Sequence, residues 1–283
     1  MPTTDIDGIP THYRVLGEGP PLLLFAPGGF GAVADNWAEL GVYRRIRLLD
    51  VLPAHYTCIV FDRREAGRSG GRVERLTWAH YVAQGCGLLD HLGIERAHLM
   101  GGCVGCSIVT SFAVAHPERV ASMVLYSPAG GPRYRMGSRA RFERHLDFVL
   151  DHGLDGVVDL ARATDASFSK DPRLGPWVSV VRADDDFAAT YAGLDADRYR
   201  TIVSGLSRTM FDRDTVPGPE PEDLLVLDVP ALVVPGNDGS HAPSAAHYLR
   251  ECLPLAELWD VPVAEQTEAS APARILDFLA AQD

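Results

Sequence analysis

Four short apolar runs constrain this chain most: T-C-I-V-F (57–61), A-H-L-M (97–100), S-M-V-L-Y (122–126) and A-L-V-V-P (231–235). Each is too short for a surface helix and too uniformly apolar for a strand with one wet face. They read as strands buried on both sides of a parallel sheet. Helical spacing lies between and after them: 76–93 ends at Gly93, a good C-terminal stop, and a last helix fits 272–281. Two further strands come first, H-Y-R-V-L (12–16) and P-L-L-L-F (21–25), joined across G-E-G-P and expected to pair antiparallel. Alternation of this kind predicts an α/β protein with a mostly parallel, doubly wound sheet.

The rhythm breaks between 131 and 220. Helical patterns at 137–152, 155–164, 184–194 and 197–210 are bounded by the turn-rich A-G-G-P and V-P-G-P-E-P-E-D, with no convincing strand. One reading is a set of extra helices on a sheet edge. The more useful one is a helical cap (131–220) inserted into a core domain of 1–130 and 221–283, over the strand ends where such sheets bind ligands.

Composition excludes several function classes. Twenty-six Lys and Arg against 38 Asp and Glu leave a net charge of −12, which disfavours nucleic acid and anionic membranes as partners. No apolar run approaches the roughly 18 residues of a membrane span, and M-P-T-T-D-I-D-G-I-P has no signal-peptide pattern. Five cysteines in 283 residues are no disulfide framework, so a cytoplasmic location is expected. The expected partner is a small-molecule substrate; the sequence leaves a homo-oligomer open.

The chemistry is concentrated at 97–120, where the strand A-H-L-M runs into Gly101-Gly102-Cys103-Val104-Gly105 and then a helix. A nucleophile between glycines on a strand-to-helix turn is a nucleophile elbow, here with Cys where Ser is usual. The turn holds the nucleophile in a strained backbone conformation, and side chains at the flanking positions would strike the strand and helix. The helix N-terminus favours thiolate over thiol.

With these residues in view, the chain resembles the α/β-hydrolase superfamily over nearly its whole length. A-P-G-G-F-G-A (26–32) is similar to the family's H-G-G-x-G oxyanion loop, with Pro27 in place of His. F-D-R-R-E-A-G-R-S (61–69) is similar to D-x-R-G-x-G-x-S, with Glu65 in place of a Gly, and A-H-P-E-R-V (115–120) ends the helix behind the elbow. The resemblance implies an α/β-hydrolase fold and a capped enzyme. Dienelactone hydrolases and polyhydroxyalkanoate synthases are relatives that use an elbow Cys; the rest of the chain looks more like capped esterases and C–C hydrolases. It also implies oxyanion donors: the backbone N–H of Val104 and that of Gly29 or Phe30.

Two positions depart from the family pattern. Counted from Gly236, the acid position holds Gly239, with Asp238 one residue early, and Gln266 stands near the place of the late His. No His lies beyond His247. His241, in the loop after the strand ending at 235, is the expected substitute base, since imidazole can accept the thiol proton and hold the thiolate as an ion pair. Asp238 either orients His241 or caps the helix beginning near 243.

The expected activity is a cofactor-independent hydrolase in which Cys103 attacks an activated carbonyl: an ester, lactone, thioester or a ketone next to a C–C bond. An acyltransferase or lyase would use the same parts, and a non-hydrolytic ligand-binding protein on the same scaffold is the competing class. Cys103 and Cys106 also form a C-x-x-C, which no second ligand pair supports as a metal site. Arg133, Tyr134, Arg135, Arg139, Arg141 and Arg144 cluster where the cap begins, opposed only by Glu143. They form either a solvated face or a carboxylate clamp. Arg133, Arg135 and His145 are the candidate substrate contacts.

Overall fold

The computed structural model describes residues 2–282. Eight strands form one sheet: β1 (Thr3–Ile6), β2 (Ile9–Leu16), β3 (Pro21–Phe25), β4 (Thr57–Phe61), β5 (Ala97–Gly102), β6 (Val120–Tyr126), β7 (Ala231–Val234) and β8 (Ala256–Leu258). Their order is β1-β2-β4-β3-β5-β6-β7-β8. β1–β2 and β2–β4 pair antiparallel, and every other pair is parallel.

The uniformly apolar strands divide their side chains between two cores, as the two-residue period of a strand demands. On one face Leu23 and Phe25 of β3 join Ile59 and Phe61 of β4 and Met123 and Leu125 of β6. On the other Leu22 and Leu24 join Cys58, Val60, Val124 and Tyr126, covered by Ile275 and Phe278 of the helix Ser270–Ala280. The helices Trp78–His91 and Gly105–Ala115 pack against each other across the first face.

The expected pairing of the first two strands is corrected. β2 and β3 are not neighbours; β4 enters between them, antiparallel to β2 and parallel to β3. The G-E-G-P link is therefore a crossing rather than a hairpin turn. β1 lies outside the expected set because T-T-D-I carries no apolar run.

Between β6 and β7 the described residues 131–220 hold helices and no strand. The helix Pro132–Ala163 breaks at Gly153 (φ 70°, ψ 179°), between the two expected segments, and starts with Pro at its first position, where the missing N–H costs nothing. Val178–Ala183, Asp185–Ala192 and Ala196–Met210 follow. Val178–Ala183 was not expected. Phe142, Trp177, Tyr191 and Tyr199 of this segment belong to the same apolar cluster as Leu23 and Phe25, so it shares a core with the sheet. Among the described residues no helix is long and apolar enough to cross a membrane.

Candidate active site

The elbow is built by steric necessity. A Cβ on Gly101 would lie 2.5 Å from the Gly105 carbonyl, and one on Gly105 would lie 2.3 Å from the Phe25 carbonyl oxygen. Cys103, between them, takes φ 56°, the left-handed region that non-glycine residues rarely occupy. Its amide donates to Tyr126 O at 3.2 Å, and its carbonyl accepts from Cys106 N at 3.2 Å, which fixes the turn into the following helix.

The cysteines divide by environment. Burial alone pushes Cys58 up to about 12, and burial pushes Cys86 to about 11. Cys106 is held well above the ordinary thiol range by burial and by the neighbouring Cys103. Burial also opposes ionisation of Cys103. It is more than offset by the charge of the neighbouring His241 and by the backbone N–H groups of Gly28 and Val104, so this thiol falls below its ordinary value.

His241 and Asp238 sit together in the loop after β7. The loop is pinned to the end of β6 by a parallel bridge between Gly130 and His241, with Gly130 N donating to Ser240 O at 3.0 Å. Both oxygens of Asp238 lie 2.9 Å from His241 Nδ1, and Oδ1 also accepts from the amides of Ser240 (2.8 Å) and His241 (3.1 Å). Asp238 therefore contacts the imidazole. Burial alone would lower His241, but the Cys103 thiolate and the Asp238 carboxylate outweigh it and push the imidazole up to about 9. Its Nε2 is buried without a well-formed hydrogen bond, while its ring charge couples to the Cys103 sulfur. Catalytic hydrogen bonds are often this loose before substrate binds.

Gln266 occupies a different environment. It is fully buried, accepts from Tyr126 Oη at 2.8 Å, and donates to the carbonyls of Pro235 (3.0 Å) and Val261 (3.2 Å). Its side-chain amide is spent tying β6 and the end of β7 to the segment after β8.

A cavity of about 490 Å³ opens over Cys103 and His241, within the size range of small-molecule sites. Its floor is the elbow and Gly28–Gly31, and its roof comes from Arg133, Tyr134, Ser138 and Arg141 of the helix Pro132–Ala163 and from Phe168. The glycine loop is braced by Asn36, whose Nδ2 donates to Pro27 O (2.7 Å) and Gly31 O (2.8 Å). Asp62 of the D-x-R motif accepts from the amides of Ala34 (2.9 Å) and Arg68 (3.0 Å). Glu65, where the family motif has Gly, keeps the left-handed φ of 66° and pairs with Arg64.

Several expected contacts fall elsewhere. The oxyanion candidates Gly29, Phe30 and Val104 line the cavity with Gly28, whose amide lies against the Cys103 sulfur, and the Gly29 carbonyl accepts from Arg63. Arg135 pairs with Asp214 at 3.1 Å outside the cavity lining, and Arg139 donates to Phe211 O at 3.2 Å. His145 is corrected most fully. It is wholly buried among the helices of 131–220 and outside the cavity lining, between Arg173 O (3.0 Å) and Tyr199 Oη (2.6 Å), and burial lowers it to about 4. A neutral imidazole so engaged packs the helices and touches no substrate. Of the expected arginine cluster, Arg133, Tyr134 and Arg141 line the cavity; Arg63 and Tyr81 line it without having been singled out. Arg63 fills the variable place of the D-x-R motif, where the sequence carries no sign of its burial.

The alpha/beta hydrolase fold family model matches residues 21–165, about half of the chain. The chain belongs to this family. It is 35% identical over 130 residues to the 2-hydroxy-6-oxo-6-phenylhexa-2,4-dienoate hydrolase of Comamonas testosteroni, covering 44% of this chain and 42% of that protein. It is 34% identical over 155 residues to the 2-hydroxymuconate semialdehyde hydrolase of Pseudomonas sp. (strain CF600), covering 53% and 46%. The matches to these relatives span less than half of their length. Among solved structures, the enol-lactonase from Burkholderia xenovorans LB400 superimposes with a TM-score of 0.64 at 19% identity, over 99% of this chain and 100% of that one. That likeness is one of fold.

Proposed function

We propose that this chain is a hydrolase with a cysteine nucleophile, acting on an activated carbonyl of a small molecule: an ester, lactone, thioester or a ketone flanking a C–C bond. Residues 131–220 serve as a cap over a core of 1–130 and 221–283. The supporting observation is the set Cys103, His241 and Asp238 gathered at one cavity, with the thiol shifted down and the imidazole up.

The Cys103 thiolate attacks the carbonyl carbon, forming a C–S bond, and the carbonyl electron pair moves to oxygen. The backbone N–H groups of Gly28 and Val104 face the developing oxyanion, an interaction worth roughly 3–4 kcal/mol per donor in known cases. Collapse of the adduct expels the leaving group, which takes the His241 proton. Neutral His241 then draws a proton from water, which hydrolyses the thioester and returns the thiolate. Asp238 fixes the imidazole with Nδ1 protonated and Nε2 toward sulfur, which Ser-based relatives achieve with residues from two separate loops.

The ligand-binding alternative drew on the missing acid and late His; a carboxylate already seated on His241 favours the enzyme. Intact-mass measurement after exposure to a panel of activated esters and lactones tests the reading. A transient acyl adduct on Cys103 that is absent from Cys103→Ala is expected. No adduct and no turnover across the panel would refute it.

A further inference from the structure

The cavity over Cys103 is cationic in an acidic protein. Arg63, Arg133, Arg141 and Lys170 line it, and among the described residues no Asp or Glu does. None of the four makes an ion pair with a carboxylate among the described residues, although about half of the other arginines do.

Arg63 is the decisive member. Its residue is 5% exposed, its Nη2 donates to the Gly29 carbonyl, and its Nε and Nη1 are buried with no hydrogen-bond partner. The guanidinium lies 4.4 Å from the Tyr81 ring centroid and 5.9 Å from that of Phe30, whose faces stabilise it only in part. Glu65, whose charge Arg63 feels, is already paired with Arg64 at 2.9 Å. Beside it the Tyr81 hydroxyl is also buried and unpartnered. Guanidinium donors buried without hydrogen-bond partners are costly, and the oxygens of a bound anion would complete them. Arg141, half-buried in the helix over the cavity, adds a second charge to the lining.

We infer that the cavity holds an anion subsite, and that the substrate is a small carboxylate whose carboxyl group is taken by Arg63 with Arg141. The inference rests on the proposed catalytic reading only for the carbonyl placed over Cys103; the subsite itself needs no chemistry. Arginine's planar donor set matches a carboxylate. The apolar and aromatic surroundings suit an organic acid better than a fully hydrated phosphate. Arg63 also holds the loop that carries Gly28, so binding at the subsite and the geometry of the oxyanion donors are linked through the Gly29 carbonyl.

Iodoacetate and iodoacetamide differ by one charge, so the ratio of their rates at Cys103 divides out the thiol's own nucleophilicity. The ratio is measured by peptide mapping in the wild type, Arg63→Gln and Arg141→Gln. It is expected to fall roughly tenfold or more in at least one variant, and pentanoate, but not pentanamide, should slow alkylation of the wild type. An unchanged ratio in both variants would overturn the subsite, and inorganic phosphate protecting better than pentanoate would overturn the assignment to a carboxylate. If Cys103 alkylates no faster than Cys58, the catalytic reading fails and calorimetry decides the subsite separately. Pentanoate binding roughly tenfold tighter to the wild type than to the folded arginine variants sustains it; equal binding sinks it. Should Arg63→Gln not fold, Arg141→Gln and the pentanoate competition carry the same decision.

Discussion

Both carboxylate oxygens of Asp238 lie 2.9 Å from Nδ1 of His241, three residues further along the same loop. A carboxylate and an imidazole are thus supplied by one short turn, and under the proposed reading the position after β8 need not carry a His and holds Gln266. The arrangement makes Asp238 a positioning residue for the imidazole. Asp238→Asn should keep the fold and lower kcat on the order of 10²-fold, within the usual range for general acid–base contributions. It should also move the alkaline limb of the kcat profile below the wild-type position. An unchanged profile would show that the carboxylate merely caps the loop.

The pH dependence follows from the two shifts. The thiol of Cys103 is lowered, so thiolate persists below the ordinary thiol range; His241 is raised to about 9, so its proton is lost as pH climbs through that value. Each group's charge holds the other in its ionised form. Turnover should show a plateau on the neutral side and decline near 9 as the general acid disappears. The ion pair's contribution to stability has the same signs: the His241 part is complete below its unfolded value near 6.5 and lost above about 9. The Cys103 part is present above the unfolded thiol value and lost as pH falls through the folded one. Thermal melts of wild type and His241→Ala from pH 5 to 10 measure this, and parallel curves would contradict it.

Gln266→Ala should separate structure from chemistry. Its amide makes three buried hydrogen bonds, and leaving Tyr126 Oη, Pro235 O and Val261 O without it should lower stability by about 1–3 kcal/mol. The pH profile of Cys103 alkylation should stay where it is. A shifted profile with unchanged stability would mean Gln266 acts on the site.

The elbow makes a steric prediction. Gly105→Ala places a Cβ 2.3 Å from the Phe25 carbonyl oxygen, a backbone atom of the adjacent strand that has little room to move. Unfolding by urea should show a loss of about 1–3 kcal/mol or more. Wild-type stability would mean the helix can slide away from β3.

Much of this was legible in the residues. The two-sided strands announced the sheet because buried parallel strands carry no polar alternation, and the glycines around Cys103 announced the elbow because their reason is steric and local. The place of His241 at the cavity was readable from its position just after a late strand. What the sequence could not give was long-range placement. Strand β4 entering between β2 and β3 depends on crossover topology, not on the turn residues. His145 and Arg135 share a helix with Arg133 and Arg141, yet only the latter two reach the cavity; Tyr199 and Asp214, distant in sequence, claim the others. Arg63 escaped notice because a variable motif position shows its burial only in three dimensions.

The central claim is that Cys103 and His241 form a thiolate–imidazolium pair in the resting protein. Iodoacetamide alkylation of Cys103, followed by peptide mapping between pH 5 and 10, tests it most directly. The account predicts fast labelling of Cys103 ahead of Cys58, Cys86 and Cys252, on a plateau reaching well below the ordinary thiol value near 8.5. In His241→Ala the plateau should vanish and the curve should rise as for a free thiol. A wild-type curve that already rises like a free thiol, or a His241→Ala curve that matches the wild type, would contradict the pair.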